Sequence, residues 1–216
     1  MDLVEKKLSE YCSQMSKPES DLLKDLTRQT HLRTILPNML SGHLQGAFLS
    51  MISRMVNPER ILEIGTFTGY ASLCLAEGLS ENGILHTIEA NEELEPFIRE
   101  YFSKSDYCEQ IELHIGDAKQ IITMLDDAFD LVFIDAAKLE YAAYYDLVFE
   151  KLKIGGYIVA DNVLWSGKIL NEKHDKETAA IHAFNEKVLR DERVDNYILP
   201  LRDGLNIIHK ISDSAK

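Results

Sequence analysis

The 216-residue sequence has little of several features that would each indicate a particular class of protein. Its three cysteines, Cys12, Cys74 and Cys108, are widely spaced and form no CxxC pair, so neither a disulfide framework nor a zinc finger is expected. No apolar run approaches the ~20 residues of a membrane span, and the amino terminus lacks the basic-then-apolar order of a signal peptide. These absences predict a cytoplasmic protein without membrane contact.

Basic residues are also few, with 23 Lys and Arg against 36 Asp and Glu, for a net charge of −13. Such a surface repels phosphate backbones, so no nucleic-acid partner is expected. The chain contains neither an internal repeat nor a Pro/Gly/Ser-rich linker. We therefore predict a single domain over 1–216, with a helical cap at 1–58 and an α/β core at 59–216.

Hydrophobic periodicity divides the chain into a helical first part and an alternating second part. Helical spacing of Leu22, Leu23 and Leu26 is typical of the first sixty residues. From Arg60 onward, short β-rich runs alternate with amphipathic helices, and the predicted strands are 60–64, 84–89, 111–115, 131–135, 157–160, 194–199 and 205–210. This order predicts a seven-stranded, mostly parallel sheet with helices on both faces and an antiparallel hairpin at the end.

Ligands of open α/β sheets bind beyond the carboxyl ends of the strands. After the first predicted strand, Gly65 and Gly69 allow a tight turn and a close approach of a ligand to the backbone. The dinucleotide fingerprint GxGxxG is absent, because Phe67 stands at the position of its second glycine. The loop therefore favours a ligand without a pyrophosphate.

Two further strand ends carry carboxylates. Glu89 follows Gly65 by 24 residues and can accept hydrogen bonds from the hydroxyls of a ribose. Asp117 and Ala118 follow the third strand, where an adenine could lie. Each has a plainer interpretation, a solvated or helix-capping Glu89 and an Asp117 that caps the next helix. Taken together, the three strand ends predict a nucleoside site.

A third group of polar residues follows the fourth and fifth strands. Asp135, Asp161 and Asn162 form an all-oxygen set suited to Mg²⁺ or Ca²⁺, although each carboxylate could be structural. Lys138 lies three residues beyond Asp135, and a nearby dication would disfavour its ammonium form and make it a plausible proton acceptor. Most lysines are solvated charges instead. Trp165, the single tryptophan, is predicted to line a pocket, with a core position as the alternative.

Other catalytic patterns are missing. The seven histidines show no metal-binding spacing, and His86 and His114 fall within predicted strands as satisfied core or edge residues. No GxSxG nucleophile elbow occurs, so hydrolase chemistry has no support.

Four segments together resemble a known family: LEIGTFTGY at 62–70, FIDAAK at 133–138, DNVLWSG at 161–167 and LPLRDGL at 199–205. The sequence is similar to the cation-dependent class I S-adenosylmethionine O-methyltransferases, which include catechol and caffeoyl-CoA O-methyltransferases and small bacterial relatives. The resemblance extends from about Met39 to Lys210. It implies a Rossmann-like methyltransferase fold with extra N-terminal helices.

The resemblance also implies roles for individual residues. Lys138 and Asp135 would be catalytic, Asp135, Asp161 and Asn162 would bind the metal, and Trp165 and Ser166 would contact the substrate. The residues expected to bind S-adenosylmethionine are Met39, Ser41, Glu63, Gly65, Thr66, Gly69, Tyr70, Ala71, Glu89, Asp117, Ala118 and Asp135. Two positions depart from the family pattern, which often has Asp in place of Ala137 and Ser in place of Ala71. Family members are commonly dimers, which implies a homodimer here.

The resemblance implies methyl transfer from S-adenosylmethionine to a hydroxyl of a catechol-like or caffeoyl-type aromatic acceptor. A divalent metal, Mg²⁺ first with Mn²⁺ or Ca²⁺ as alternatives, would chelate the acceptor oxygens. Two other functions remain open at this point, a non-catalytic nucleoside-binding regulator and an NAD-dependent oxidoreductase. The missing GxGxxG counts against the second, and the complete set of metal ligands counts against the first.

Overall fold

A computed structural model of the protein describes residues 6–214. Residues 1–5 and 215–216, which the single-domain prediction includes, lie outside the described residues. Most of the amino-terminal segment on which the signal-peptide expectation rests also lies outside them. Within 6–214, no helix is both long and apolar enough to cross a bilayer.

Helices form where apolar residues recur at helical spacing behind a capping side chain. The Ser20 hydroxyl accepts the N–H of Leu23 and begins the second helix, which buries Leu23 and Leu26. The described α-helices are α1 (Lys6–Met15), α2 (Asp21–Arg33), α3 (Gly42–Val56), α4 (Tyr70–Ala76), α5 (Glu95–Phe102), α6 (Ala118–Met124), α7 (Tyr141–Phe149) and α8 (Lys176–Leu189). Short 3-10 helices lie at Pro37–Met39, Glu92–Leu94, Cys108–Gln110, Lys138–Glu140 and Trp165–Leu170.

The strands form one seven-stranded sheet. They are β1 (Arg60–Ile64), β2 (Ile84–Glu89), β3 (Ile111–Ile115), β4 (Phe129–Ile134), β5 (Leu152–Ala160), β6 (Val194–Leu199) and β7 (Leu205–Lys210). Their order across the sheet is β3-β2-β1-β4-β5-β7-β6, with β7 antiparallel to both of its neighbours. The predicted mostly parallel sheet with an antiparallel C-terminal hairpin is confirmed.

Five strands have the predicted bounds, and two differ. Strand β4 covers Phe129–Ile134 instead of 131–135, and β5 begins at Leu152 instead of 157. The cause is an irregularity in the pairing, because Phe129 pairs with Leu152 while Leu131 pairs with Tyr157. The extra residues on β5 include Gly155 in a left-handed conformation (φ +84°), so that part of the sequence has the composition of a turn although it lies in a strand.

Apolar side chains cover both faces of the sheet, as predicted for helices packed on both sides. One core joins α2, α3, α4 and α5 to the sheet, and the other joins α6, α7 and α8 to its opposite face. The central strands are buried on both sides, which leaves their carboxyl ends as the place where polar side chains can gather.

Candidate active site

The loop between β1 and α4 brings its backbone close to the end of β4. Gly65 has φ +103°, and a Cβ atom added there would lie 1.9 Å from the carbonyl oxygen of Asp135. Gly69 also has a positive φ, +89°, and precedes the first residue of α4. The N–H groups of Gly65 and Thr66 both donate to the carbonyl of Ile88. The glycines are therefore required by the turn and by the close approach of two strand ends.

A cavity lies at these strand ends, between the loop and the segment that precedes α3. Seven predicted cofactor residues line it, namely Met39, Ser41, Gly65, Thr66, Tyr70, Ala71 and Asp135. Leu40, Phe67 and Thr68 complete the lining. Phe67 and Thr68 belong to the turn that the resemblance places at the methionine end of the cofactor, whereas Leu40 had no predicted role.

Glu63 is fully buried at the end of β1. Its Oε2 accepts hydrogen bonds from the hydroxyls of Ser72 and Thr87, while its Oε1 has no hydrogen-bond partner among the described residues. Burial raises the pKa of this carboxyl to about 8, against the lowering effect of the two hydroxyls. An unsatisfied buried oxygen on an acidic side chain fits a site that is completed by a donor from a ligand.

Glu89, at the end of β2, is hydrogen-bonded to the loop between β1 and α4. Its carboxylate accepts the N–H of Phe67 at 2.7 Å and the N–H of Asn91 at 2.8 Å. Asp117 accepts the N–H groups of Lys119 and Gln120 at 2.8 and 3.1 Å and so caps α6, of which Ala118 is the first residue. Asp117 is therefore a helix cap, which is the alternative that the sequence left open for it. None of these three predicted cofactor residues lines the cavity described above.

Asp135 and Asp161 follow the neighbouring strands β4 and β5. Asp161 is buried, and its two carboxylate oxygens accept hydrogen bonds from Gln45 Nε2 and from the N–H of Asn162, both at 2.6 Å. Burial and then the negative charge of Asp135 raise the pKa of Asp161 to about 7. Two carboxylates are therefore held near each other, and a bound cation would relieve the repulsion between their negative charges.

Lys138 lies beside this pair. Its Nζ donates to Asp135 Oδ1 at 2.9 Å and to the hydroxyl oxygen of Tyr141 at 2.8 Å. The Tyr141 hydroxyl in turn donates to the backbone carbonyl of Asp161 at 2.9 Å. Tyr141 is fully buried, so this contact fixes the lysine between the ends of β4 and β5. No motif in the sequence indicated this role of Tyr141.

The donor set fits a hard divalent cation. Asp135, Asp161 and Asn162 supply two carboxylates and one amide, the ligand types that Mg²⁺ prefers. Asn162 has a left-handed backbone (φ +58°), an uncommon conformation outside glycine that occurs at functional sites. The mutual repulsion of the two carboxylates is a second observation that fits a site for a positively charged ion.

Trp165 and Ser166 both have left-handed backbones, with φ of +47° and +54°. The Trp165 ring packs against the second core, and Lys138 Nζ lies 5.9 Å from its centroid. The buried indole N–H of Trp165 has no acceptor among residues 6–214. The N–H of Ser166 donates to the Asp203 carboxylate. The tryptophan therefore lies beside the lysine, and its neighbour is tied to the β6–β7 turn.

Besides Tyr141, two more site residues were not predicted, because their contacts join segments that are distant in sequence. Gln45 of α3 holds Asp161, and Arg202 donates to Gln45 Oε1 at 3.2 Å. Arg202 also donates to the carbonyl of Ser41. Arg202 belongs to the LPLRDGL segment of the resemblance, which was the available signal for it, whereas Gln45 had none.

The prediction that His86 and His114 are satisfied strand residues is confirmed, because His86 contacts His114, Glu112 and Asp127. The fold also brings these two histidines together with Glu112, so that three possible metal ligands converge. Neighbouring parallel strands create this proximity, and no spacing along the chain could show it.

Comparison with known proteins agrees with this geometry. Residues 13–211 match the family described as O-methyltransferase. A probable caffeoyl-CoA O-methyltransferase 2 of Dictyostelium discoideum is 31% identical over 209 residues, covering 94% of this chain and 90% of that protein.

Solved structures give the same result. The O-methyltransferase TomG of Streptomyces achromogenes in complex with SAM has a TM-score of 0.89 at 27% identity, with 95% of this chain and 96% of that chain covered. The SAH-bound methyltransferase PaMTH1 of Podospora anserina has a TM-score of 0.88 at 28% identity, with 95% and 94% covered. The predicted Rossmann-like methyltransferase fold is confirmed, and this chain belongs to the O-methyltransferase family.

Proposed function

We propose that this chain transfers a methyl group from S-adenosylmethionine to a hydroxyl of a catechol-like or caffeoyl-type aromatic acceptor, with a divalent cation bound. The observation that carries this proposal is the convergence of Asp135, Lys138 and Asp161 beside the glycine-loop cavity. Relatives named as caffeoyl-CoA O-methyltransferases support the acceptor class. Two solved relatives, one in complex with SAM and one bound to SAH, support the cofactor.

The methionine end of the cofactor would lie at the β1–α4 loop. Its ammonium group would donate a hydrogen bond to Glu63 Oε1, which has no partner among the described residues. Gly65 and Thr66 would line the bound ligand, while Met39 and Ser41 would cover it from the segment before α3. Glu89 keeps lone pairs that could accept ribose hydroxyls in addition to its two backbone N–H donors. Asp117 and Ala118 would lie beside the adenine.

The cation would be held by Asp135, Asp161 and Asn162, with Mg²⁺ preferred over Mn²⁺ or Ca²⁺ as its identity. When bound, it would chelate two neighbouring acceptor oxygens and stabilise the oxyanion that receives the methyl group. Gln45 would keep the buried carboxylate of Asp161 oriented for this task, because its amide holds one oxygen at 2.6 Å.

Lys138 would receive or orient the proton that leaves the acceptor hydroxyl. Its contacts with Asp135 and Tyr141 hold Nζ at the junction of β4 and β5, next to the proposed metal ligands. Trp165 and Ser166 would contact the acceptor, and the flat indole ring beside Lys138 would favour an aromatic ring. These residues would hold the oxygen and the methyl group at reacting distance.

We also propose that the protein is a cytoplasmic homodimer. All three cysteines are free, which suits a reducing compartment. The amino-terminal helices and the segment after α2 expose several large apolar side chains, namely Leu8, Tyr11, Met15, Leu32, Ile35, Leu36, Met51 and Met55. Such a surface fits a partner subunit. Sedimentation analysis should give twice the chain mass of 24.6 kDa, and a monomer at micromolar concentration would contradict the dimer.

The test is a methyl-transfer assay with labelled S-adenosylmethionine and a panel of vicinal dihydroxyphenyl compounds. We expect labelled product in the presence of Mg²⁺, its loss on treatment with chelator and its recovery when Mg²⁺ or Mn²⁺ is restored. The Asp161→Ala variant should bind the demethylated cofactor normally but form no product. Cofactor binding without turnover of any acceptor would favour the non-catalytic alternative, and full activity in chelator would exclude the metal.

A further inference from the structure

A group of nitrogen and oxygen ligands lies on the sheet face that α6 covers, with no residue in common with the proposed active site. The register of β2 and β3 pairs His86 with Glu112, and His114 lies two residues farther along β3. Because side chains alternate along a strand, Glu112 and His114 project from the same face. Strand β3 is the edge of the sheet, so this group is accessible from solvent.

The distances among the three side chains are those of a metal site. His86 Nδ1 lies 3.1 Å from His114 Nε2 and 3.3 Å from Glu112 Oε2. All three donor atoms lie within 4.8 Å of one another. Ligands that bind zinc tetrahedrally at 2.0–2.1 Å are about 3.3 Å apart. Two of the three separations therefore already have the spacing that a shared ion requires.

A fourth residue holds the buried histidine in a suitable orientation. His86 is 5% exposed, and its Nε2 lies 3.2 Å from Asp127 Oδ2. Asp127 is itself fixed, because its Oδ1 accepts the N–H of Arg60 Nε at 2.7 Å. A carboxylate on one ring nitrogen selects the tautomer and leaves the other nitrogen free to bind metal, which is the usual arrangement behind metal-binding histidines.

The second histidine and the carboxylate lie nearer to the solvent than His86 does. His114 is partly buried on β3, and its Nε2 lies 3.1 Å from His86 Nδ1. Glu112 is exposed on the edge strand and supplies the negative charge that offsets a dication.

We propose that His86, Glu112 and His114 bind Zn²⁺, with a water molecule in the fourth position, and that the ion fastens the edge strand β3 to β2. Two imidazoles and one carboxylate form a set that zinc prefers, whereas Mg²⁺ prefers oxygen ligands. The site is therefore chemically distinct from the all-oxygen group at Asp135, Asp161 and Asn162, and it does not depend on the proposed methyl transfer.

The test is a calorimetric titration of the metal-stripped full chain with Zn²⁺ in a large excess of Mg²⁺, which occupies oxygen-only sites. We expect one Zn²⁺ per chain, and Co²⁺ in its place should give the intense visible absorption of a tetrahedral ion. His114→Gln and Glu112→Gln should each weaken Zn²⁺ binding at least tenfold, and Asp127→Asn should weaken it 10- to 100-fold.

Two variants serve as controls. His182→Gln removes an exposed histidine of α8 near His174, and Asp161→Asn removes a carboxylate of the active site; both should keep the Zn²⁺ affinity of the wild type. Circular dichroism would verify that each variant is folded. The absence of stoichiometric binding would overturn the proposal. So would unchanged affinity in His114→Gln and Glu112→Gln, or loss of binding in either control.

Discussion

Gln45 and Asp161 are 116 residues apart in the sequence, and their side chains are joined by a hydrogen bond of 2.6 Å. Gln45 is fully buried in α3, and Asp161 is buried at the end of β5. Arg202, from the β6–β7 turn, donates to the same glutamine amide. A helix from the amino-terminal part and a turn from the carboxyl-terminal part therefore both determine the orientation of one strand-end carboxylate.

Gln45→Met should weaken the affinity of the enzyme for the proposed cation and so raise the Mg²⁺ concentration that it requires. Methionine has a similar volume but cannot hold the carboxylate, and the loss of such outer contacts costs about 10- to 100-fold in metal affinity. Activity should fall at low Mg²⁺ and recover at saturating Mg²⁺, with little change in cofactor affinity. Gln120→Met, on the exposed side of α6, is the matched control. An unchanged Mg²⁺ requirement in Gln45→Met would show that this hydrogen bond has only a structural role.

Lys138→Met should separate catalysis from cofactor binding. If Lys138 receives or orients the proton of the acceptor, its loss should lower kcat by about 10²- to 10⁴-fold. The affinity for S-adenosylhomocysteine, measured by calorimetry, should stay near the wild-type value. Lys119→Met is a suitable control because it removes only an exposed ion pair with Glu140. A kcat within a few-fold of the wild type would remove Lys138 from the mechanism.

Glu63 predicts a pH dependence of stability in the cofactor-free protein. The unfolded chain ionises this carboxyl above about pH 4.5, whereas burial keeps it protonated in the folded protein up to about pH 8. Folding therefore takes up a proton in this window, and the free energy of unfolding falls as the pH rises, by up to about 1.4 kcal/mol per pH unit from this group.

Glu63→Gln removes this titration, so its stability relative to the wild type should increase between pH 5.5 and pH 8. Urea unfolding of both proteins at several pH values would measure the difference. A difference that is constant across this range would mean that Glu63 is ionised in the folded state at neutral pH.

Gly65→Ala should lower the free energy of unfolding more than Gly167→Ala does, although both glycines have positive φ. Left-handed backbone costs alanine about 1–2 kcal/mol at either position. At Gly65 the added methyl would also lie 1.9 Å from the Asp135 carbonyl, whereas at Gly167 no atom lies within 4 Å. We therefore expect a further loss of about 1–3 kcal/mol or more in the free energy of unfolding for Gly65→Ala. Equal losses in denaturant unfolding would contradict the close approach of β1 and β4.

Much of the fold was predictable because it depends on local patterns. The β-rich runs that became β1, β2, β3, β6 and β7 are short and end at turn residues, so their bounds could be derived from the sequence. The start of β5 could not, because glycines in a strand have the composition of a turn and only its pairing with β4 makes that segment extended.

The site was predictable to the extent that its residues follow strands. Asp135 and Asp161 could be expected to lie together because adjacent parallel strands end at one edge. The partnership of Gln45 with Asp161, and that of His86 with His114, depend on packing between segments that are distant in sequence. Spacing along the chain carries no information about such contacts.

The most direct test of the account compares a catechol or caffeoyl-type acceptor with its monohydroxy analogue at equal concentration. If Asp135, Asp161 and Asn162 hold the cation and leave positions for two acceptor oxygens, only the vicinal diol can use both. The account predicts that kcat/KM is far higher for the diol in Mg²⁺, and that chelator abolishes both the rate and the preference. Comparable kcat/KM for the two compounds would contradict it.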